Sequence, residues 1–238
     1  MIDFGIFIMN RIILLSVTCL FAFSAQSFAG GYLEVREAWN SASEEHQFKV
    51  GAGYNFQNGA GLIYQSAYNT GKLDQLKHSF DEVEGWYPLW KINDDLTFYA
   101  GGLINSTNAG STTAPYAQLG YVITDDLAMA FKYRYNHMNY ETKDLNKEMN
   151  YNDSHQLILV VNYKINDVLS YEFEPNYYLN SNEYNRKNGK DHSWELNNKF
   201  TWKMTQAWRP FIQLSWLDRD VGNNAEQYRI RLGIRYYF

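Results

Sequence analysis

The last eleven residues alternate between apolar and polar side chains, and this alternation limits the fold more than any other feature. One parity is apolar: Ile230, Leu232, Ile234, Tyr236 and Phe238. The other parity is mostly basic: Arg229, Arg231, Gly233, Arg235 and Tyr237. Successive side chains of a β-strand point to opposite faces, so this segment predicts a strand with one apolar and one polar face. Residues 191–204 and 127–139 alternate in the same way.

The first 29 residues are typical of an export signal. Arg11 precedes an apolar run that closes on Ser27-Phe28-Ala29, a small-x-small cleavage site. We predict a signal peptide over 1–29 and a single domain over 30–238, with translation starting at Met1 or Met9. A membrane anchor is the competing interpretation, but the run is short and polar residues follow it at once. The remaining sequence has no run of 18 apolar residues, which argues against a membrane-spanning helix.

Similar short turns recur along the chain. The segments that start at Lys91, Val122, Lys164 and Lys203 share one pattern. Each has an apolar residue that ends a strand, then a polar pair or triplet, then a Leu or Trp that opens the next strand. Asn and Asp favour the backbone geometry of tight turns, so these segments predict hairpins, as does Asn58-Gly59. Longer polar connections are predicted at 69–75, 105–113, 139–152, 180–190 and 220–227. Short turns at one end and long loops at the other are the layout of outer-membrane barrels.

Counting the segments between these turns predicts an all-β fold, a twelve-stranded antiparallel transmembrane β-barrel with up-and-down topology. Short turns and both termini lie on the periplasmic side, and the longer loops are extracellular. The predicted strands are 31–40, 45–56, 60–69, 78–90, 96–105, 114–123, 127–139, 153–165, 169–179, 191–204, 208–219 and 227–238. Pro88 lies in the fourth strand and predicts a bulge there. An aromatic content of 17% in an exported chain also suits a membrane barrel.

The alternation alone does not decide which face of the barrel contacts water. A soluble barrel such as a lipocalin alternates with its apolar side inward, and a secreted β-sandwich alternates too. The export signal, the aromatic strand ends and the one-sided loops favour apolar side chains outward, facing lipid. Five tryptophans share the outward parity and are predicted to form interfacial girdles. They are Trp39, Trp194, Trp202, Trp208 and Trp216.

The inward parity collects basic residues on two opposite walls. The first wall joins the last three predicted strands to the first two, and the second lies on the strand 127–139. The predicted lumen bases are Arg36, Lys49, Lys132, Arg134, Lys199, Lys203, Arg209, Arg219, Arg229, Arg231 and Arg235. The guanidinium fork matches a carboxylate, and repeated forks let an anion pass from one to the next. A pore of intermediate width lined in this way predicts an anion-selective channel.

Inward acids support a different interpretation of the same arginines. Glu34, Glu84, Glu172, Glu174 and Glu195 share the inward parity. The arginines could therefore form ion pairs that fill a small barrel, as in eight-stranded structural proteins. On this count the acids concentrate on the strands 169–179 and 191–204, which leaves the wall around the last strand predominantly basic.

Several segments resemble the oligogalacturonate-specific porin family, which includes sialic-acid-inducible channels. They are "LEVREAW" from Leu33, "PYAQLGYVITDDLAMAFKYRYN" from Pro115, "NKFTWKMTQAWRPFIQLSWLDRD" from Asn198 and the final "YRIRLGIRYYF". The resemblance implies a monomeric twelve-stranded channel for acidic oligosaccharides or sialic acids. It matches Arg36, Lys49, Lys132, Arg134, Arg219, Arg229 and Arg231 to basic channel positions of the family. Tyr99 and Gln118 depart from that pattern, which bears on the substrate more than on the channel role.

No arrangement of residues predicts an enzyme. In Asp153-Ser154-His155 the neighbouring side chains point to opposite faces, so they cannot form a catalytic relay. We predict no catalytic residues, no metal ligands and no cofactor. A net charge of −5 does not suggest a nucleic-acid partner. The predicted partners are acidic solutes, outer-membrane lipid and lipopolysaccharide, and the barrel-assembly machinery through Phe238. A structural or adhesive barrel without transport is the remaining alternative.

Overall fold

The computed structural model describes residues 30–70, 76–182, 184–222 and 225–238, and the predicted signal peptide lies outside them. The described residues form strands and connections. The strands are β1 (Gly31–Asn40), β2 (Glu45–Asn55), β3 (Gly61–Thr70), β4 (Lys77–Lys91), β5 (Leu96–Thr107), β6 (Ser111–Thr124), β7 (Leu127–Met138), β8 (Glu141–Lys143), β9 (Met149–Tyr151), β10 (Ser154–Lys164), β11 (Leu169–Asn180), β12 (His192–Trp202), β13 (Trp208–Asp220) and β14 (Ala225–Tyr237). Within these ranges there is no helix long and apolar enough to cross a membrane.

Twelve of the strands close into one barrel in which every pair is antiparallel. The order around it is β1-β14-β13-β12-β11-β10-β7-β6-β5-β4-β3-β2. Closure pairs β1 with β14, from Tyr32 opposite Tyr237 to Asn40 opposite Arg229. The predicted twelve-stranded, up-and-down barrel is therefore confirmed. We call the end that carries the short turns and both barrel-strand termini the turn end, and the opposite end the loop end.

Three of the four repeated turn segments share one hydrogen-bonding pattern. In the turn after β4, Asn93 Oδ1 accepts from the backbone N–H of Leu96 at 2.8 Å. After β10, Asn166 Oδ1 accepts from the backbone N–H of Leu169 at 2.9 Å. Thr205 does the same for Trp208 after β12. Because the side chain satisfies the backbone donors, each turn closes within a few residues, as the sequence predicts.

The strands extend further toward the loop end than the sequence indicates. Residues 105–113 are predicted as a loop, yet β5 continues to Thr107 and β6 begins at Ser111. The predicted loop 139–152 contains β8 and β9, which form a separate two-stranded hairpin. Ser, Thr and Asn lack the apolar alternation that marks a membrane strand, so these extensions leave no period-two signal. The bulge predicted at Pro88 is confirmed by a register shift between Pro88 and Trp90.

The outer face of the barrel is apolar along the strands. On β14 the outward side chains are exposed, with Leu232 52% and Tyr228 51% accessible, and the inward ones are half-buried. The five tryptophans predicted to face outward all lie in register with other outward residues. A closed sheet also pairs its backbone N–H and C=O groups between strands, as a lipid environment requires.

Aromatic rings lie flat over glycines on the inner wall. A Cβ added at Gly53 would lie 2.3 Å from Cζ of Tyr32, and one at Gly101 would lie 2.4 Å from Cζ of Tyr116. In the same way, the ring of Trp86 lies over Gly61 and the ring of Phe211 lies over Gly233. Each ring therefore occupies the space above a residue that has no side chain, and stays close to the wall.

Candidate functional site in the barrel lumen

Contacts that skip a strand show which face lines the lumen. Lys132 Nζ on β7 lies 3.2 Å from Glu84 Oε1 on β4, although β5 and β6 separate the two strands. Lys49 Nζ on β2 lies 4.8 Å from the centre of the Phe80 ring on β4. On the convex face of a barrel side chains diverge, so such contacts are possible only on the concave face. The basic parity therefore faces inward and the apolar parity outward.

The wall that contains the barrel closure has two groups in which two arginines share one carboxylate. Arg235 Nη2 lies 2.6 Å from Glu34 Oε2, and Arg36 Nη1 lies 3.9 Å from Glu34 Oε1. The second group joins Arg229 and Arg231 of β14 to Glu195 of β12. Each group retains one positive charge more than its carboxylate neutralises.

Three further bases complete this first wall. Arg209 lies with its guanidinium carbon 4.2 Å from the centre of the Tyr237 ring. Its Nε is buried and has no hydrogen-bond partner among the described residues. Lys199 Nζ binds Glu172 Oε1 at 2.7 Å. Lys49 is buried, 8% exposed, and its ammonium group rests on an aromatic ring. Stacking on aromatic faces holds a cation without neutralising it.

The second basic wall lies on β7, six strands from β1 in the barrel order. Lys132 pairs with Glu84 and also lies 4.2 Å from the centre of the Tyr116 ring. Arg134 donates from Nε to Gln156 Oε1 at 2.9 Å. This partner is a neutral amide, so Arg134 keeps its full positive charge. The two predicted walls thus lie opposite each other across the lumen.

A belt of amides connects the two walls through β10, β11 and β12. Gln156 Nε2 donates to Asn176 Oδ1 at 2.8 Å, and Asn176 Nδ2 donates to Glu174 Oε1 at 2.9 Å. Asn197 Nδ2 donates to the same carboxylate at 3.1 Å. The amide donors thus stabilise the Glu174 carboxylate in place of a basic partner. The belt also places hydrogen-bonding groups along one side of the lumen.

The structure corrects two of the predicted lumen bases. The alternation predicts Arg219 inward, but the register shifts between Leu217 and Asp220, and Arg219 is exposed at the loop end. Lys203 is also exposed and lies beyond the end of β12, at the turn end. In both cases the period of two does not continue past the regular part of the strand. Inward acids were also missed: Glu82, for example, lies opposite Gln65 on the inner face.

The remaining predicted bases all lie on the inner face. They are Arg36, Lys49, Lys132, Arg134, Lys199, Arg209, Arg229, Arg231 and Arg235. The acids that face the lumen beside these bases include Glu34, Glu82, Glu84, Glu172, Glu174 and Glu195. Among the residues named here the bases outnumber the acids by three, so this part of the inner surface is positive although the whole chain is acidic.

Comparison with known proteins places the chain in a family. The family model "Oligogalacturonate-specific porin protein (KdgM)" matches residues 23–238. The chain belongs to this porin family. It is 26% identical over 239 residues to the N-acetylneuraminic acid outer membrane channel protein NanC of Escherichia coli strain K12, covering 96% of this chain and 99% of that one. It is 20% identical over 237 residues to the oligogalacturonate-specific porin KdgM of Dickeya dadantii, with the same shares.

Solved structures of the same family share the fold. A NanC porin structure superposes with a TM-score of 0.77 and 25% identity, covering 86% of this chain and 98% of that one. A KdgM porin in complex with disordered oligogalacturonate gives a TM-score of 0.67 and 19% identity, covering 87% and 99%. This porin is therefore a protein of the bacterial outer membrane, its turn end is periplasmic, and its relatives are channels rather than enzymes.

The two positions that the sequence predicts to depart from the family pattern lie side by side. Tyr99 on β5 is directly opposite Gln118 on β6, and both face the lumen. The next inward pair toward the loop end is Gly101 and Tyr116. This part of the wall, between the lysine of β7 and the acids of β4, is therefore neutral and partly aromatic.

The histidines of this porin lie away from the lumen. His46, His78, His137, His155 and His192 all share the outward register near the loop end. Ser154 faces inward opposite Asn136 while His155 faces outward opposite Tyr135, as the sequence predicts. Within the described ranges there is no group of three or more His, Cys, Asp or Glu that could hold a metal ion.

Gln156 provides a test of the amide belt. It is 1% exposed and bridges Arg134 to Asn176. Replacing it by leucine removes the acceptor of a charged donor, so we expect Gln156→Leu to lower the free energy of unfolding by about 1–3 kcal/mol. Urea titration of the porin refolded in lipid vesicles measures this. Thr113→Val, on the outer face of the neighbouring hairpin, is the control, and an equal effect of both would contradict the bridging role.

Proposed function

We propose that this porin is a narrow anion-selective channel for passive uptake of acidic oligosaccharides such as oligogalacturonates. The observation that carries the proposal is the arrangement of two arginines around one carboxylate, repeated at Glu34 and at Glu195. Each group keeps a positive charge and also fixes its arginines in place. Fixed guanidinium groups along a water-filled path attract carboxylates without trapping them at one point.

The opposite wall supports the same proposal. Arg134, which is bound to a neutral amide, faces the first wall from the other side of the barrel. A chain of uronic acids carries one carboxylate on each ring, so it can contact both walls while it passes. The amide belt between the walls offers donors and acceptors to the sugar hydroxyl groups. These roles of the lumen residues are our proposal.

A sialic acid is the second candidate solute. The chain is more similar to the N-acetylneuraminic acid channel than to the oligogalacturonate porin, at 26% against 20% identity. The neutral patch of Tyr99 and Gln118 also suits a solute with fewer charges than an oligogalacturonate. Both candidates are carboxylated sugars, so both need the same positive lumen.

Ion selectivity tests the proposed channel. In planar bilayers under a salt gradient, we expect a reversal potential of the anion-selective sign, because fixed positive charge in a narrow pore concentrates anions. A reversal potential of the cation-selective sign would overturn the proposal. A panel of di- and trigalacturonate and N-acetylneuraminate, added while current is recorded, then decides the solute. Block by N-acetylneuraminate alone would replace oligogalacturonates as the substrate.

Further partners follow from the same proposal. We propose that the porin acts as a monomer, since one barrel encloses the complete pore. The apolar outer face would contact membrane lipid, and the loop end would contact lipopolysaccharide. Phe238, whose ring packs against Gly31 at the turn end, would be recognised by the barrel-assembly machinery.

A further inference from the structure

A cavity of about 440 Å³ opens at the loop end of the lumen, above the basic walls. Its size falls in the range of small-molecule sites, about 300–1,000 Å³. Residues of β11, β12, β13 and β14 form part of the lining. The connection between β11 and β12, the end of β1 with the turn that follows it, and Asn152 form the rest. The residues used below are Tyr178, Tyr184, Arg186, Asn188, Ser193 and Gln227.

The segment 184–191 is fixed in place by hydrogen bonds on both sides. The backbone N–H of Leu145 donates to Asn185 O at 3.0 Å, which ties the segment to the loop that contains β8 and β9. The backbone N–H of Val221 donates to Lys187 O at 2.9 Å, which ties it to the end of β13. Gly189, with a φ of 76°, closes a turn in which its own N–H donates to Arg186 O. The side chain of Arg186 is therefore presented from a defined backbone.

Arg186 has the properties of a ligand-binding cation. Its guanidinium carbon lies 5.1 Å from the centre of the Tyr178 ring. Its Nε is buried and lacks a hydrogen-bond partner among the described residues. Burial lowers the pKa of Arg186 from its ordinary value, with Tyr178 and Tyr184 opposing that change, but a guanidinium stays protonated. A guanidinium group that rests on an aromatic ring and has an unpaired N–H donor is suited to bind a carboxylate.

The acids that line or border this cavity are already engaged by other groups. Asp218 Oδ2 accepts from Asn188 Nδ2 at 2.9 Å and from the backbone N–H of Trp194 at 2.8 Å. Glu195 is held by the two arginines of β14. Asp220 lies 3.8 Å from Lys187 Nζ. These carboxylates are therefore bound by other groups.

The cavity leads directly to the basic walls. Its floor includes Glu195, the carboxylate shared by Arg229 and Arg231. Tyr178, under the Arg186 guanidinium, lies directly opposite Gln156, the residue that binds Arg134 of the second wall. An anion bound at Arg186 would therefore be next to both paths into the lumen.

We propose that Arg186 and Tyr178 form a capture site at the extracellular entrance, which binds the carboxylate and ring of one acidic sugar residue before it enters the pore. This inference rests on the proposed function, since it needs an acidic solute. Arg186 binds the carboxylate, Tyr178 positions the guanidinium, and the side chains of Ser193 and Gln227 offer hydrogen bonds to hydroxyl groups.

Solute block of the ion current tests the capture site. Digalacturonate or N-acetylneuraminate is added on the loop side of a bilayer that contains the full-length porin, and the half-blocking concentration is measured. A charge-assisted hydrogen bond supports an expected rise of about tenfold or more for Arg186→Gln. Arg186→Lys, which keeps the charge but loses the fork, is expected to fall between that variant and the wild type.

Lys190→Gln is the matched control, because Lys190 is an exposed base of the same turn. Equal half-blocking concentrations for Arg186→Gln and Lys190→Gln would overturn the capture site. If the half-blocking concentration of Arg186→Lys equals that of the wild type, the carboxylate is not bound by the two-pronged guanidinium geometry. Galactose, which lacks the carboxylate, is expected to block neither variant. The reversal potential of the wild type tests the proposed function separately. A cation-selective wild type overturns both proposals. If the wild type is anion-selective and the two variants have equal half-blocking concentrations, only the capture site is overturned.

Discussion

Replacing Arg229 and Arg231 together by serine is expected to reduce the anion preference of this porin more than any other pair of substitutions in the lumen. The two arginines share Glu195, so their loss removes two positive charges and leaves one carboxylate without its partners. In a water-like dielectric, a unit charge about 8 Å away changes the energy of an ion by about 0.5 kcal/mol. Two charges therefore change the permeability ratio about fivefold or more. The reversal potential under a salt gradient measures this change.

Two companion variants separate charge from geometry. Arg229→Lys with Arg231→Lys keeps both charges, and we expect its reversal potential to stay close to that of the wild type. Adding Glu195→Gln to the serine variant removes the isolated carboxylate, so selectivity is expected to return part of the way. If the serine variant assembles and keeps the wild-type reversal potential, the arginines have a structural role only.

Replacing Gly53 by alanine is expected to narrow the pore and destabilise the barrel. The new Cβ would lie 2.3 Å from Cζ and 2.5 Å from Oη of Tyr32, so the ring must leave the wall and enter the lumen. Tyr32 also supports Arg235, whose guanidinium carbon lies 4.3 Å from the ring centre. Overpacking of this kind costs about 1–3 kcal/mol of unfolding free energy. We expect a lower single-channel conductance and an earlier transition in urea.

Gly102 supplies the control for this experiment. A Cβ at Gly102 would have its nearest neighbour at 3.9 Å, so Gly102→Ala is expected to change neither conductance nor stability noticeably. Adding Tyr32→Ala to the Gly53→Ala variant removes the displaced ring, and we expect conductance to recover to at least the wild-type value. Wild-type conductance in Gly53→Ala alone would contradict the flat position of the ring.

The barrel itself could be predicted from the sequence because its determinants are local. The turn residues Asn93, Asn166 and Thr205 bond to backbone two or three positions ahead. The parity of Arg229, Ile230 and their neighbours follows from the period of a strand. Closure between the first and last strands then follows from up-and-down topology. These features need no knowledge of distant contacts.

The grouping of charges could not be predicted, because it depends on register between strands that are far apart in sequence. That Arg235 and Arg36 share Glu34 depends on the closure of β14 against β1. Both sequence interpretations of the arginines describe part of the outcome: several are in ion pairs, yet bases still exceed acids on this part of the inner face. Arg219 was misplaced because a register shift interrupts the alternation.

Arg186 left no usable signal in the sequence. It lies in a polar connection without periodicity, and its position depends on bonds from Leu145 and Val221, which belong to other loops. The nearby Gly189 indicates a turn, but not where the turn points. Sites built from loops of several hairpins therefore require the three-dimensional structure, even where the barrel that carries them does not.

Because of the glycines beneath the aromatic rings, the width of the passage is set independently of the diameter of the barrel. Strand number fixes the circumference of the sheet, but Gly53, Gly61, Gly101 and Gly233 set how deeply the rings above them sit. A single methyl group at one of these positions changes the bore while every strand keeps its partner. A porin of this kind can therefore evolve toward larger or smaller solutes without rebuilding its sheet, by substitutions at the few positions where a side chain is missing.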